Sequence, residues 1–147
     1  MARLPALLLA LCLVAGCSPR LSPPYRDYEV RASAPALTAE LEAAAQAAGW
    51  TLAESLDPAI VTTASRRVGE GFFSTTDAAI DLVPLEGGFV RVYVRAESRS
   101  FLGGRSKVYA LDGALQNAVL GPLSDALAAR GLVPLGTPRD RDEDATE

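Results

Sequence analysis

The sequence predicts an α+β domain: a two-layer sandwich in which two helices cover one face of a mainly antiparallel sheet of four to five strands. Two alanine- and leucine-rich segments have the spacing of amphipathic helices. Several other segments alternate polar and apolar residues, as half-buried strands do. Their order is strand, helix, four strands, helix. Each element has one apolar face, and a second layer is needed to bury it.

The first elements lie before residue 66. Residues 26–32 alternate polar with apolar side chains and predict a strand. Residues 36–49 predict a helix that ends at a glycine, and residues 50–56 and 59–65 predict two strands around the turn former Asp57-Pro58. The apolar face of the helix consists of Leu37, Leu41, Ala44, Ala45 and Ala48.

A hairpin is predicted from residues 79–85 and 89–96, which flank Glu86-Gly87-Gly88. A three-residue loop with a left-handed glycine pairs Leu85 with Phe89 and gathers the apolar residues of both strands on one face. A two-residue loop would mix apolar and charged residues on both faces, so the need for a buried face favours the longer loop. The predicted apolar pairs are Pro84 with Val90, Leu82 with Val92, and Ile80 with Val94.

Residues 97–110 read as a glycine-bearing basic loop, and Asp112 as the N-cap of a second helix. Gly121-Pro122 is expected to kink this helix or split it in two. Gly131 ends it, and residues 132–135 predict a short edge strand. The apolar side of the helix consists of Leu115, Ala118, Val119, Leu123, Ala126 and Leu127.

The amino terminus has the pattern of an export signal. Arg3 precedes an apolar run at 4–14, which is much shorter than the about 20 residues of a membrane-spanning helix. Small residues then lead into Cys17. The segment Leu13-Val14-Ala15-Gly16-Cys17 closely resembles the lipobox of bacterial lipoproteins.

This resemblance implies a signal peptide at 1–16, cleavage between Gly16 and Cys17, and a diacylglycerol thioether and usually an N-acyl chain, such as palmitate, on Cys17. Two or three acyl chains hold a protein stably on a membrane. Ser18, in place of the aspartate that favours inner-membrane retention in many enterobacteria, implies an outer-membrane lipoprotein that faces the periplasm. An inner-membrane or surface-exposed location stays open.

The predicted domain organisation follows from the resemblance and from composition. Residues 17–25 read as the lipidated cysteine and a proline-rich tether, and residues 26–136 as a single domain. Residues 137–147 are almost wholly polar and predict a disordered acidic tail.

Composition argues against most catalytic and nucleic-acid functions. The chain has no histidine, which removes the usual general base and the usual imidazole metal ligand. Cys12 leaves with the signal and Cys17 is modified, so neither a disulfide nor a free thiolate is expected. Arg3 is the only charged residue among residues 1–16, so removal of this segment changes the formal charge from −4 to −5. We therefore expect no enzyme activity, no cofactor, no metal and no nucleic-acid partner.

Two sets of residues are candidates for binding. One is a stripe on the outward face of the predicted hairpin: Phe89, Arg91, Tyr93 and Arg95. Aromatic residues and arginine are enriched where proteins meet. The alternative is a solvated face on which the arginines pair with acids on neighbouring strands, such as Asp81, Asp27 or Glu29.

The second candidate set is basic and surrounds an apolar dipeptide in the loop at 97–110. It consists of Arg99, Phe101, Arg105 and Lys107, with Leu102 beside them and Arg66 and Arg67 as further members. On a tethered protein these residues could touch anionic headgroups. The alternative is an ordinary loop whose apolar residues fold inward.

Together these observations predict a lipid-anchored, non-enzymatic envelope protein that serves as a scaffold or accessory interaction module, with another envelope protein as partner. The order of elements is similar to that of small α+β domains in outer-membrane assembly lipoproteins, a likeness of topology alone. The alternative is a periplasmic carrier or sensor of lipid or a small amphiphilic ligand, which would need an apolar cavity between sheet and helices.

Overall fold

The computed structural model describes residues 23–31, 36–111 and 113–135. The predicted signal, Cys17, Asp112 and the predicted tail lie outside these ranges. Within them, two helices and eight strands confirm the α+β class. In chain order the elements are β1 (Tyr25–Val30), α1 (Leu37–Ala47), β2 (Leu52–Ala53), β3 (Val61–Thr63), β4 (Arg66–Glu70), β5 (Ser74–Leu85), β6 (Phe89–Ser100), β7 (Arg105–Val108), α2 (Gly113–Ala128) and β8 (Leu132–Pro134).

The hairpin of β5 and β6 is the centre of the sheet. The strand order is β2-β3-β5-β6-β1-β8, and all pairings are antiparallel. Near the β5–β6 turn, β3 and β1 flank the hairpin; toward its other end, β4 takes the place of β3 and β7 that of β1. β8 lies at the edge of the sheet beside β1, which confirms the predicted edge strand.

The prediction of four to five strands is wrong, because the described residues form eight. The additional strands are short and polar, and such segments show little alternation. β5 begins five residues before the predicted position 79, and β6 continues to Ser100. The predicted loop at 97–110 is therefore largely the second hairpin, β6–β7.

The register of the central hairpin is confirmed. Leu85 pairs with Phe89, and all three predicted apolar pairs are formed. Gly87 and Gly88 both have positive φ, of 85° and 82°, a backbone region that glycine enters without steric cost. The loop thus places the alternating valines of β6 on the buried face; Val90, Val92 and Val94 are fully buried.

Both helices pack on this face and contribute to the same buried cluster as the sheet. Four of the five predicted apolar residues of α1 are buried and Leu37 packs at their edge. In α2 the prediction is wrong at Ala118, which is exposed, whereas Leu120 is buried. The helix continues through Pro122 and is not split, because buried residues on both sides of the proline, including Val119 and Leu123, hold it on the sheet.

A hydrogen bond within the core links the two layers. Tyr28 of β1 is fully buried, and its hydroxyl lies 2.7 Å from the Ser124 Oγ of α2. Burial raises the pKa of Tyr28, so the hydroxyl stays protonated and neutral at physiological pH. The bond therefore satisfies a polar group inside an otherwise apolar cluster.

The carboxyl end of α1 is capped by a side chain from the sheet. No basic residue lies in its last turn, but Arg66 Nη1 of β4 donates to the Gly49 carbonyl oxygen at 2.7 Å. The guanidinium carbon lies 3.8 Å from the centroid of the Trp50 ring, and partial burial lowers the pKa of Arg66. A cation is thus held against the negative end of the helix dipole and an aromatic face.

We expect Arg66→Ala to lower the free energy of unfolding by about 2 kcal/mol, because the change removes the cap, the dipole interaction and the stacking together. The adjacent Arg67→Ala is the matched control, since Arg67 is exposed and its ion pairs are long, at 3.7 and 3.8 Å. That control should cost less than about 0.5 kcal/mol. Urea unfolding of both variants tests the prediction, and equal effects would contradict it.

Candidate functional site

The outward face of the central hairpin carries the predicted stripe. Strand β6 alternates strictly, and Phe89, Arg91, Tyr93 and Arg95 all lie opposite the buried valines. The structure therefore places these four residues on one surface, half-buried or exposed.

Arg91 forms the tightest interaction on this face. Its Nε and Nη2 donate to the two carboxylate oxygens of Asp27 at 2.7 and 2.8 Å. The guanidinium carbon also lies 4.1 Å from the centroid of the Tyr25 ring, which is itself 5.8 Å from that of Tyr93. The hydrogen bond to Asp27 raises the pKa of Arg91, and a hydrogen bond with Tyr93 acts in the same direction. This group is therefore permanently charged and held in one orientation.

The other arginines of the face also have acidic neighbours. Arg95 Nε lies 2.7 Å from Asp81 Oδ2, and Arg99 Nε lies 3.4 Å from Asp77 Oδ2. The cross-strand pairing proposed as the alternative for the stripe is thus formed by Asp27 and Asp81, whereas Glu29 pairs with Arg31. These pairs order the face without preventing a partner from contacting its aromatic residues.

A groove of about 490 Å³ lies on the same outward side, next to the stripe. Pro23 and Tyr109 line it, Ala79 contributes to its lining from β5, and charged side chains of both signs complete it, among them Glu97 and Lys107. The lining of this groove is therefore mixed, with charged groups interrupting its apolar surface. It does not lie between the sheet and the helices, where a carrier was expected to have its cavity.

The second candidate set lies at the end of the sheet opposite the β5–β6 turn. Here two connections meet, the one between β4 and β5 and the one between β6 and β7. Four large apolar side chains protrude from them, and we call these the apolar tip: Phe72, Phe73, Phe101 and Leu102, which are 90%, 72%, 88% and 98% exposed.

A hydrogen bond joins the two connections of the apolar tip. The Phe101 backbone N–H donates to the carbonyl oxygen of Phe73 at 2.9 Å, and Ser74 and Ser100 are register partners just behind it. The rings of Phe72 and Phe73 lie edge to face, with centroids 4.7 Å apart. The two connections of the tip are therefore joined through the backbone, and its four apolar side chains are exposed and do not fold inward as an ordinary loop's would.

Cations stand directly behind the apolar tip. Arg99 and Arg105 are register partners, and Lys107 lies two residues farther along β7. In the described ranges, neither Arg105 nor Lys107 forms a salt bridge, whereas Arg99 is paired with Asp77. The structure thus brings together all four predicted residues of this set. Arg66 lies elsewhere, against Trp50.

The two phenylalanines at 72 and 73 were missed as site residues in the sequence. Their signal was present: two adjacent phenylalanines between Gly71 and Ser74, in a stretch without a predicted strand. The predicted hairpin strands began at 79 and ended at 96, so this turn was not placed beside Phe101, although the same register extended outward pairs residue 73 with 101. The contact depends on the β5–β6 pairing, which continues to Ser74 and Ser100 and makes Phe73 and Phe101 the next pair.

Groups that could support catalysis are not concentrated in the described part of the chain. No three His, Cys, Asp or Glu residues there are placed to hold a metal ion. Asp77 and Asp81, a candidate carboxylate pair, each face an arginine.

No helix among the described residues is long and apolar enough to cross a bilayer. The chain matches no model of a known protein family, and no curated protein matches it.

Proposed function

We propose that this protein is a lipid-anchored, non-enzymatic envelope protein that acts as an accessory interaction module. It is attached through acyl chains on Cys17 after cleavage behind Gly16, and Ser18 favours the outer membrane, with the domain in the periplasm. The lipobox resemblance of residues 13–17 supports the anchor. The proposal requires no cofactor or metal.

The observation that carries this proposal is the direction from which the chain enters the domain. β1 runs antiparallel to β6, with Tyr25 beside Tyr93, and the Pro24 carbonyl oxygen accepts a hydrogen bond from Val94 N–H. Moving back along the chain from Tyr25 therefore leads along β6 toward Ser100. The chain enters the domain from the side of the apolar tip.

The distances between anchor, entry point and tip are compatible. From Val94 to Ser100, six residues of strand cover about 20 Å. The six residues from Cys17 to Pro23 reach at most about 20–22 Å when fully extended. An acyl anchor on Cys17 and the apolar tip can therefore meet the same membrane surface. The β5–β6 turn then points away from that membrane, and the outward face of the sheet lies open to the side.

The stripe on this outward face is the proposed contact with another envelope protein. Arg91 and Arg95 are held by Asp27 and Asp81, and the Tyr25 and Tyr93 rings are in contact. Aromatic and arginine side chains that are already ordered lose little conformational entropy on binding. Such residues commonly carry most of the binding energy at interfaces.

The alternative function, a carrier or sensor of lipid or a small amphiphile, has less support. The layer between the helices and the sheet is filled by fully buried side chains, among them Leu41, Leu82 and Leu123. The groove on the outward side is lined by charges of both signs. An acyl chain needs a continuous apolar lining, which this groove does not offer.

Crosslinking in intact cells, followed by detergent extraction and mass spectrometry, tests the interaction module. We expect one stoichiometric envelope protein to be recovered with the unaltered chain, and its yield to fall at least about tenfold when Tyr93→Ala and Arg95→Ala are combined. Arg31→Ala is the control, because Arg31 is exposed and its ion pair with Glu29, at 3.4 Å, lies outside the stripe.

Circular dichroism of the double variant is the control for folding, and we expect a folded spectrum because both positions face outward. Recovery of the bare lipoprotein, or of lipid alone, would contradict the module and favour the carrier. Equal loss of the partner in Arg31→Ala would contradict the placement of the interface on the stripe.

A further inference from the structure

We infer that the apolar tip is a second membrane contact, which inserts into the headgroup region of an anionic phospholipid bilayer beside the acyl anchor. For its orientation the inference rests on the proposed anchor at Cys17. The proposed site consists of the four residues of the tip together with the cations behind them. As a consequence, the domain is held at a defined angle to the membrane and does not swing freely on its tether.

The exposure of the tip is the first argument. Four large apolar side chains, three of them aromatic, form one surface at an extremity of the domain. Contiguous exposed apolar patches on soluble domains mark sites of protein or membrane contact. The hydrogen bond between the Phe101 N–H and the Phe73 carbonyl fixes the two turns together. Insertion would therefore bury apolar area without the entropic cost of ordering a loop.

The charges behind the tip are complementary to an anionic bilayer. The chain as a whole is acidic, with a formal charge of −4, yet Arg99, Arg105 and Lys107 stand directly behind the tip. A side chain one to three positions back from an inserted turn lies at the depth of lipid phosphates. Each Lys or Arg near an anionic surface contributes about 1 kcal/mol to binding. Glu70, the acid at the end of β4, is paired with Arg67.

These cations also distinguish a membrane from a second copy of the chain. Two copies meeting tip to tip would bring Arg105 and Lys107 of one against the same residues of the other, and like charges in proximity oppose association. A bilayer containing phosphatidylglycerol instead supplies phosphates to the same groups. The entry of the chain from the tip side keeps that bilayer within reach of the tip.

The lack of free thiols in the mature protein allows a direct test. Cys12 leaves with the signal and Cys17 is acylated, so one introduced cysteine is the single site for an environment-sensitive fluorophore. Leu102→Cys places the fluorophore at the tip. Leu56→Cys is the matched control, since Leu56 is also fully exposed but lies in the β2–β3 connection, at the opposite end of the sheet.

The lipidated full-length mature protein is reconstituted in vesicles of phosphatidylethanolamine and phosphatidylglycerol. We expect a blue-shifted emission and protection from an aqueous quencher for the fluorophore at 102, and neither for the one at 56. Equal emission and equal quenching at the two positions would overturn the inference. Protection at 102 that appears without vesicles and grows with protein concentration would overturn it as well, in favour of self-association.

Charge and apolar variants measure the two contributions separately. On the Leu102→Cys background, Arg105→Gln and Lys107→Gln should each lower the ratio of inserted to free tip about fivefold. In phosphatidylcholine vesicles, which carry no net charge, this ratio should fall as far as it does when Arg105→Gln and Lys107→Gln are combined. Phe72→Ser combined with Phe101→Ser should abolish the protection, and both positions are exposed enough for the domain to stay folded. An unchanged ratio in these variants would overturn the inference.

Failure of the anchor and failure of the tip give different results. The protein without an introduced cysteine takes up no fluorophore if Cys17 is acylated, and takes up at least one equivalent if it is not. Label on the parent protein therefore contradicts the proposed anchor. If the parent protein takes up no label and the fluorophore at position 102 is still not protected, the result contradicts membrane insertion of the tip alone.

Discussion

Changing Cys17 to Ser is expected to abolish incorporation of labelled palmitate completely. Acylation requires the cysteine thiol, and no other residue of the lipobox can form the thioether. The same variant should not be cut between Gly16 and Cys17, because in lipoproteins that cleavage follows modification of the cysteine. Metabolic labelling of cells and the intact mass of the purified chain provide the two measurements.

Cys12→Ser is the matched control for this prediction, because Cys12 is the other cysteine of the chain and lies within the apolar run of the predicted signal. Cys12→Ser should take up palmitate at the level of the unaltered protein and have the same mature mass. Labelling that persists in Cys17→Ser, or that is lost in both variants, would contradict a lipid anchor at Cys17.

A carboxylate at Val92 should unfold the domain or lower its free energy of unfolding by at least about 4 kcal/mol. Val92 is fully buried in β6, between its register partners Leu82 on β5 and Arg26 on β1. Val92→Asp places a carboxylate that has lost its hydration inside the apolar cluster, and the Arg26 guanidinium on β1 offsets only part of that cost. Domains of this size have a total stability of only about 5–15 kcal/mol. Urea unfolding followed by near-ultraviolet circular dichroism measures the loss.

The control for Val92→Asp is the next residue, which points to the opposite face. Tyr93→Asp would lie between Arg91 and Arg95 and opposite Asp81, on an outward face where water screens charges of both signs. The loss is then mainly that of ring contacts, about 1 kcal/mol. Burial raises the pKa of an aspartate, so Val92→Asp should become more stable relative to the parent as the pH falls toward about 4, where the group is neutral. Similar losses in the two variants would contradict the assignment of faces.

The two surfaces proposed for this protein occupy different parts of one hairpin. Strand β6 begins at the β5–β6 turn, carries the stripe at 89–95, and ends at the apolar tip. Its first half is flanked by β1 and its second half by β7. An anchor at one end therefore leaves the stripe accessible along the side. In the proposed arrangement, a single small domain would contact a membrane and a protein partner at the same time.

Local patterns were sufficient to predict the class of the fold, the helix at 37–47 and the register of the central hairpin. These features depend on interactions between residues close in sequence. A three-residue loop with two glycines determines which residues of β5 and β6 are opposite each other, and a slip of one position would bury Arg91 or Arg95. The alternation along β6 likewise predicted which face would carry Phe89, Arg91, Tyr93 and Arg95.

The strand count and the site at the apolar tip were decided by contacts between residues distant in sequence. β4 and β7 are short and polar, and each is a strand because it pairs with an exposed edge of the long hairpin. The β5–β6 ladder itself extends beyond the predicted strand ends to Ser74 and Ser100, and this extension brings Phe73 beside Phe101, across nearly thirty residues of chain. Likewise, Pro122 would end an isolated helix, but the apolar residues on either side of it hold α2 against the sheet. Local patterns show which residues can be buried or exposed. The spatial neighbours of an exposed residue, in contrast, depend on which strands pair and how far each pairing extends.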